Sequence, residues 1–92
     1  MKTIELHISG RVQSVGFRAC VKRVAANLGL AGEVMNLPDG RVLITATAEE
    51  VILEKFVSML YGCPRAVIRN LEVKETKLTS FSDFSIKRAP DY

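Results

Sequence analysis

The chain is poor in the side chains that bind metals most often: of its 92 residues, two are cysteines and one is a histidine. Cys20 and Cys63 form no CxxC pair and have no zinc-like spacing, and His7 cannot complete a cluster with them, so no metal site is expected. Free, partly buried thiols are the expected state. No apolar run approaches the ~20 residues that a membrane span requires, and Met1-Lys2-Thr3-Ile4-Glu5 passes straight into strand-like alternation without an apolar leader segment. A cytoplasmic protein with no membrane partner is therefore expected. Internal repeats, low-complexity stretches and blocks of like charge are missing too, and three prolines and six glycines are ordinary usage. A chain of this length leaves no room for a second domain, so residues 1–92 read as a single domain.

What charge there is leans basic, with thirteen lysines and arginines against ten acidic residues and a formal net charge of +3. This balance suits a small anionic ligand and equally permits weak, salt-sensitive attraction to nucleic acid, so the total does not choose between them.

Thr3 to Ser9 alternates strictly, with Ile4, Leu6 and Ile8 on one face and Thr3, Glu5, His7 and Ser9 on the other, which predicts a half-buried strand. From Phe17 to Leu30 the apolar residues fall at helical steps, at Phe17, Cys20, Val21, Val24, Ala25 and Leu28, with Gly29 as the left-handed stop. Gly32 to Leu37 and Arg41 to Thr47 are short extended runs joined by Pro38-Asp39-Gly40, a hairpin pattern. Thr47-Ala48-Glu49-Glu50 reads as a capping box that opens a second helix over Val51, Ile52, Leu53, Phe56, Val57 and Leu60, ended near Gly62 and Pro64. Ala66 to Lys77 predicts a long strand whose core face is ambiguous, Phe84-Ser85-Ile86 a short last one, and Lys87 to Tyr92 a charged tail. The order is that of an α+β, ferredoxin-like βαββαβ sandwich, with two helices on one face of an antiparallel sheet. That fold hosts many functions, so function must be argued from a site.

The segment Gly10-Arg11-Val12-Gln13-Ser14-Val15-Gly16-Phe17-Arg18 joins the first strand to the first helix. A positive side chain in the first turn of a helix opposes the macrodipole, so Arg18 is unfavourable by a few tenths of a kcal/mol, roughly, unless an anion compensates. Backbone amides at the helix start are anion donors, glycines let the backbone approach a ligand, and a guanidinium binds phosphate or carboxylate with two parallel bonds. The plainer reading is that Gly10 and Gly16 make a tight turn and Arg18 is a solvated surface charge; the pattern is neither GxxxxGK[ST] nor GxGxxG. Asn36, at the end of the second strand, either orients a water through its amide or bonds its own turn backbone. His7 has no partner at a recognisable spacing and is given no role, and Cys20 reads as a buried apolar thiol rather than a reactive one.

Gly10 to Arg18 together with Gly32-x-Val34-x-Asn36-x-x-Asp39-Gly40-x-Val42 resembles the acylphosphatase family. Gly62-Cys63-Pro64 and a closing Phe84-x-Ile86 extend the resemblance over essentially the whole chain. It implies hydrolysis of small acyl phosphates to carboxylate and inorganic phosphate, with no cofactor and no covalent intermediate. The backbone amides of Gln13, Ser14, Val15, Gly16 and Phe17, with the Arg18 guanidinium, would hold the phosphoryl oxygens, and inorganic phosphate would compete for them. Asn36 would position the attacking water, whose proton passes to the substrate itself. Ser14 stands where the family usually has glycine, Glu33 replaces an aromatic, and Cys63 separates a Gly-Pro pair. Ser14 keeps open a second reading, a catalytically weak phosphate-binding module of the same fold. RNA binding on an open sheet fails because Thr3 to Ser9 and Arg41 to Thr47 contain no aromatic on which a base would stack, so no nucleic-acid partner is expected. The protein is expected to be a monomer.

Overall fold

The structure is a computed structural model that describes residues 1–88; of the expected charged tail, residues 89–92 lie outside the described residues. Its elements run β1 (Lys2–Arg11), α1 (Phe17–Leu28), β2 (Ala31–Asn36), β3 (Val42–Ala48), α2 (Glu50–Leu60), β4 (Val67–Thr76) and β5 (Phe84–Lys87). The expected βαββαβ order is present. Five strands form one sheet in the order β4-β1-β3-β2-β5. All pairings are antiparallel except that of β2 with β5, which is parallel, so the sheet is mixed where an antiparallel one was expected. The difference arises because the last strand continues past β4 to the opposite edge and runs beside β2.

The core forms where the alternation of the strands meets the helical stripes. Ile4, Leu6, Ile8, Val34, Val42, Ile44 and Ala46 face Phe17, Val21, Ala25, Leu53, Phe56 and Leu60, all buried. Helix α1 packs on β2 and β5, α2 packs on β3, and the two helices touch each other. Gly29 ends α1 with φ 68°, its N–H donating to the Ala26 carbonyl while Leu30 N–H donates to Ala25, the left-handed stop that the sequence suggested.

Two further sequence expectations are corrected, and one left open is resolved. Thr47 does not cap α2: β3 carries the chain on to Ala48, the cap position falls to Glu49, and no side chain caps the helix. Instead the Thr3 and Thr47 hydroxyls sit 2.6 Å apart. Thr79 N–H donates to Thr3 at 2.9 Å, and Thr47 donates to the Thr79 carbonyl at 2.7 Å. Thr3, assigned to the polar face of its strand, is accordingly buried beneath the returning chain.

The core face of β4, left open by the sequence, is the one carrying Ile68 and Leu71, which pack on the core while Val67 and Val73 stay exposed. The register slips between Ser9 and Gly10, so one extra β4 residue is accommodated and the alternation changes phase there. The second correction is that Cys20 and Cys63 are not free thiols but a disulfide, with Cα atoms 6.0 Å apart. Sequence spacing could not show this, because helix packing brings the first turn of α1 beside the chain leaving α2, within bridging distance.

Candidate active site

Between β1 and α1 the chain is fixed at two points: Val12 and Phe17 are buried, whereas Ser14 and Gly16 between them are exposed. Ser14 has φ 61° and Gly16 φ 76°, so two left-handed residues curve the backbone. Such a curvature gathers successive N–H groups into a concavity suited to an anion. Among the described residues, no backbone carbonyl and no side chain accepts from the amides of Gln13, Ser14, Val15, Gly16 or Phe17. Gly16 is the cap residue of α1, no side chain caps that end, and the first turn holds no acidic residue. The positive end of the helix thus meets a cation, Arg18, and among the described residues no acidic side chain pairs with it.

The two bracketing glycines do different work. A Cβ on Gly10, whose φ is 131°, would overlap the Val67 carbonyl and crowd the Arg69 amide. The close approach made possible at Gly10 is therefore to the neighbouring strand β4 and not to a ligand, which corrects that part of the sequence reading. At Gly16 a Cβ would meet only the Arg65 guanidinium, at 3.7 Å, and the surface is otherwise open.

Arg18 and Asn36, on different elements, line one cleft of about 580 Å³ together with Leu37, Pro38, Ile86 and Arg88. A smaller hollow of about 150 Å³ adjoins it, shares Arg18 and Ile86, and is walled by Val12, Ser14, Gly16 and Phe17 of the loop. Asn36 does not bond its own turn: its Oδ1 is buried with no partner among the described residues. A buried amide oxygen without a partner is unfavourable by roughly 1–3 kcal/mol.

The loop and the Asn36 strand are joined by a side chain that the sequence reading used only for its backbone. Gln13 Nε2 donates to the Leu37 carbonyl and to the Arg41 carbonyl, each at 2.9 Å. Those carbonyls also close the hairpin, accepting from Gly40 and Leu37 amides respectively. Asp39 stiffens the same turn through the Arg41 amide at 3.1 Å and Arg41 Nε at 2.8 Å. These bonds hold its carboxyl below the usual carboxylate range, the Arg41 amide foremost and the guanidinium after it.

Of the residues singled out in the sequence, Arg18, Asn36, Ser14, Gly16 and Phe17 come together at one end of the sheet. Gln13 and Val15 lie in the same loop. His7 lies mid-strand opposite Leu43 and Glu72, away from the cleft, and Cys20 is committed to the disulfide. Ile86 and Arg88, which also line the cleft, were not singled out in the sequence. The signal that would have found them is the parallel pairing of β5 with β2, which places Ile86 beside Val34 and Lys87 beside Met35.

Residues 4–86 match the family model described as Acylphosphatase. An acylphosphatase of Archaeoglobus fulgidus is 46% identical over 94% of this chain and 98% of its own length. One from Thermotoga maritima is 43% identical over 95% of this chain and 98% of its own. The crystal structure of acylphosphatase from Bacillus subtilis superposes with a TM-score of 0.90 at 37% identity, covering 95% of this chain and 99% of the other.

Proposed function

Because the chain belongs to the acylphosphatase family and is an acylphosphate hydrolase, we propose that the β1–α1 loop and Asn36 share the work of breaking the carboxyl–phosphate bond. The observation that carries this reading is the meeting of Arg18 and Asn36 in one cleft, beside a loop whose amides have no partner among the described residues. The phosphoryl oxygens sit in the hollow of the loop and accept from the amides of Gln13 to Phe17 and from the Arg18 guanidinium. Their negative charge supplies what the cation at the helix start lacks.

Asn36 holds the water that attacks phosphorus, its amide offering both donors and an acceptor. A bond forms from the water oxygen to phosphorus, the bond from phosphorus to the acyl oxygen breaks, and the water proton passes to the substrate. The leaving carboxylate is stable without a proton, so no strong general base is needed, and positioning with charge stabilisation suffices. Nothing in this scheme requires a metal, and inorganic phosphate, as product, competes for the same amides. Ser14 lines the hollow and already has the left-handed backbone a glycine would take. It therefore does not favour the alternative of a binding module without turnover.

The test is release of phosphate from benzoyl phosphate in the presence of a chelator. Arg18→Ala removes charge-assisted bonds worth roughly 1.5–3 kcal/mol each. Loss of a preorganised donor lowers the rate on the order of 10²–10³-fold. Asn36→Ala should lower kcat while leaving inhibition by inorganic phosphate in place. Equal turnover by Asn36→Ala and parent would remove Asn36 from the scheme, and sensitivity to chelator would remove the metal-free step.

A monomeric, cytoplasmic protein remains part of the proposal. The disulfide bears on location, since cytosolic thiols are held reduced outside certain hyperthermophiles. Thiol alkylation in intact cells, followed by mass analysis of Cys20 and Cys63, reads whether the pair is bridged where the protein works, and cell fractionation reads the compartment.

A further inference from the structure

The cleft is larger than the reaction needs. If the phosphoryl group lies in the hollow of about 150 Å³, the adjoining cleft of about 580 Å³ is left for the water held by Asn36 and for the acyl part of the substrate. Leu37, Pro38 and Ile86 offer apolar surface to its carbon skeleton. Arg88 is different. It is a second arginine in the cleft with Arg18, and no acidic group among the described residues pairs with it.

Its position follows from topology. Lys87 pairs with Met35 in the parallel register of β5 and β2, so Arg88 follows at the level of Asn36, at the sheet edge. Two arginines lining one cleft make it electropositive, which favours a ligand with two separated anionic groups. The planar fork of arginine matches a carboxylate in a bidentate pair.

We propose that Arg88 is a specificity residue that receives a carboxylate on the acyl part of the substrate, so that the preferred acyl phosphates are those of dicarboxylic acids. This rests on the reading that Arg18 and the loop hold the phosphoryl group. The bond to phosphorus that breaks is the same for every substrate. Arg88 adds binding energy remote from it, which shows chiefly in KM when ground state and transition state gain it alike.

The experiment compares benzoyl phosphate with its meta- and para-carboxylated forms, each rate corrected for spontaneous hydrolysis, in parent, Arg88→Gln and Arg23→Gln proteins. Arg23 is an exposed cation of α1 outside the cleft, so Arg23→Gln removes the same unit of charge without touching the proposed contact. In the parent, at least one carboxylated form should exceed benzoyl phosphate about tenfold in kcat/KM. Arg88→Gln should cut that ratio at least fivefold, mainly through KM, whereas Arg23→Gln should leave it within twofold.

The proposal is overturned by a parent with no preference, by a ratio unchanged in Arg88→Gln, or by an equal fall in Arg23→Gln. The underlying reading fails separately, if benzoyl phosphate is not hydrolysed at all or if its hydrolysis survives Arg18→Ala.

Discussion

Replacing Gln13 with methionine keeps the length and bulk of the side chain and removes both of its donors. Two bonds of 2.9 Å are lost, to the Leu37 and Arg41 carbonyls. At about 0.5–1.5 kcal/mol net per bond, the full loss is about 1–3 kcal/mol. Both carbonyls keep a hairpin amide, from Gly40 at 3.1 Å and Leu37 at 2.8 Å, so neither is left without a donor. The expected destabilisation is therefore in the lower half of that range, about 1–2 kcal/mol, or roughly 4–8 °C of Tm per kcal/mol for a chain of this size. Urea denaturation measures it.

The catalytic effect is distinct. The backbone amide of Gln13 stays in the loop, so inhibition by inorganic phosphate should change less than threefold, on the order of what an intact amide cradle preserves. The strand that carries Asn36 loses its tie to the loop, and small misplacements of a reacting group lower rates by up to about 10²-fold. kcat should fall roughly ten- to hundredfold. A destabilised Gln13→Met protein with parental kcat would refute the claim that this side chain sets the distance between cradle and water. A loss of phosphate binding equal to the loss of kcat would show instead that the loop itself had collapsed.

Removing the disulfide as Cys20→Ala/Cys63→Ala should lower stability by up to about 4 kcal/mol, since the bridge spans 43 residues and closing a loop of that length restricts the unfolded chain by about this much. A change below about 1 kcal/mol in chemical denaturation would mean the bridge adds no net stability. Ser14→Gly relieves a left-handed serine, worth about 1–2 kcal/mol, against a gain in unfolded-chain entropy of roughly 0.5–1 kcal/mol. Tm should rise by a few degrees, roughly, with turnover retained, and a fall would assign the Ser14 hydroxyl a stabilising bond. The Asp39 carboxyl titrates lower in the folded chain than in the unfolded one. Its stabilising contribution is thus full above the ordinary carboxylate range and is lost as pH falls through the lowered value. Denaturation of Asp39→Asn and parent should differ near neutrality and converge in acid; a gap that widens in acid would reverse the assignment.

Alternation over Thr3 to Ser9 and the helical steps from Phe17 to Leu28 were legible because both report local periodicity, and the core then fills that pattern. Thr47 was misread because a threonine ahead of two glutamates satisfies a cap pattern and a cross-strand hydroxyl pair equally well, and only the partner strand decides. The phase of β4 was hidden by a bulge, which shifts alternation without leaving a mark in the residues themselves. At the candidate site, the loop and Asn36 were each singled out from one motif, and the structure brings them to adjoining hollows. The Gln13 tie and the Arg88 wall could not be singled out in this way, since both depend on how the hairpin and β5 are laid against their neighbours. The disulfide likewise reports the packing of two helices rather than any spacing in the chain.

The strand order also governs how fast the molecule assembles. Only β2 and β3 pair through a short turn, while Thr3 must find Thr76 and Lys2 must find Ala48 from far along the chain. Non-local pairing of this kind closes long loops before it is rewarded, which places folding in the slower, millisecond-to-second class. On refolding, the hairpin with Asn36 has every reason to form early, whereas the loop before α1 is set only when β1 is seated between β3 and β4. Recovery of hydrolysis should therefore trail recovery of secondary structure, making enzymatic activity a clock for the last step of folding.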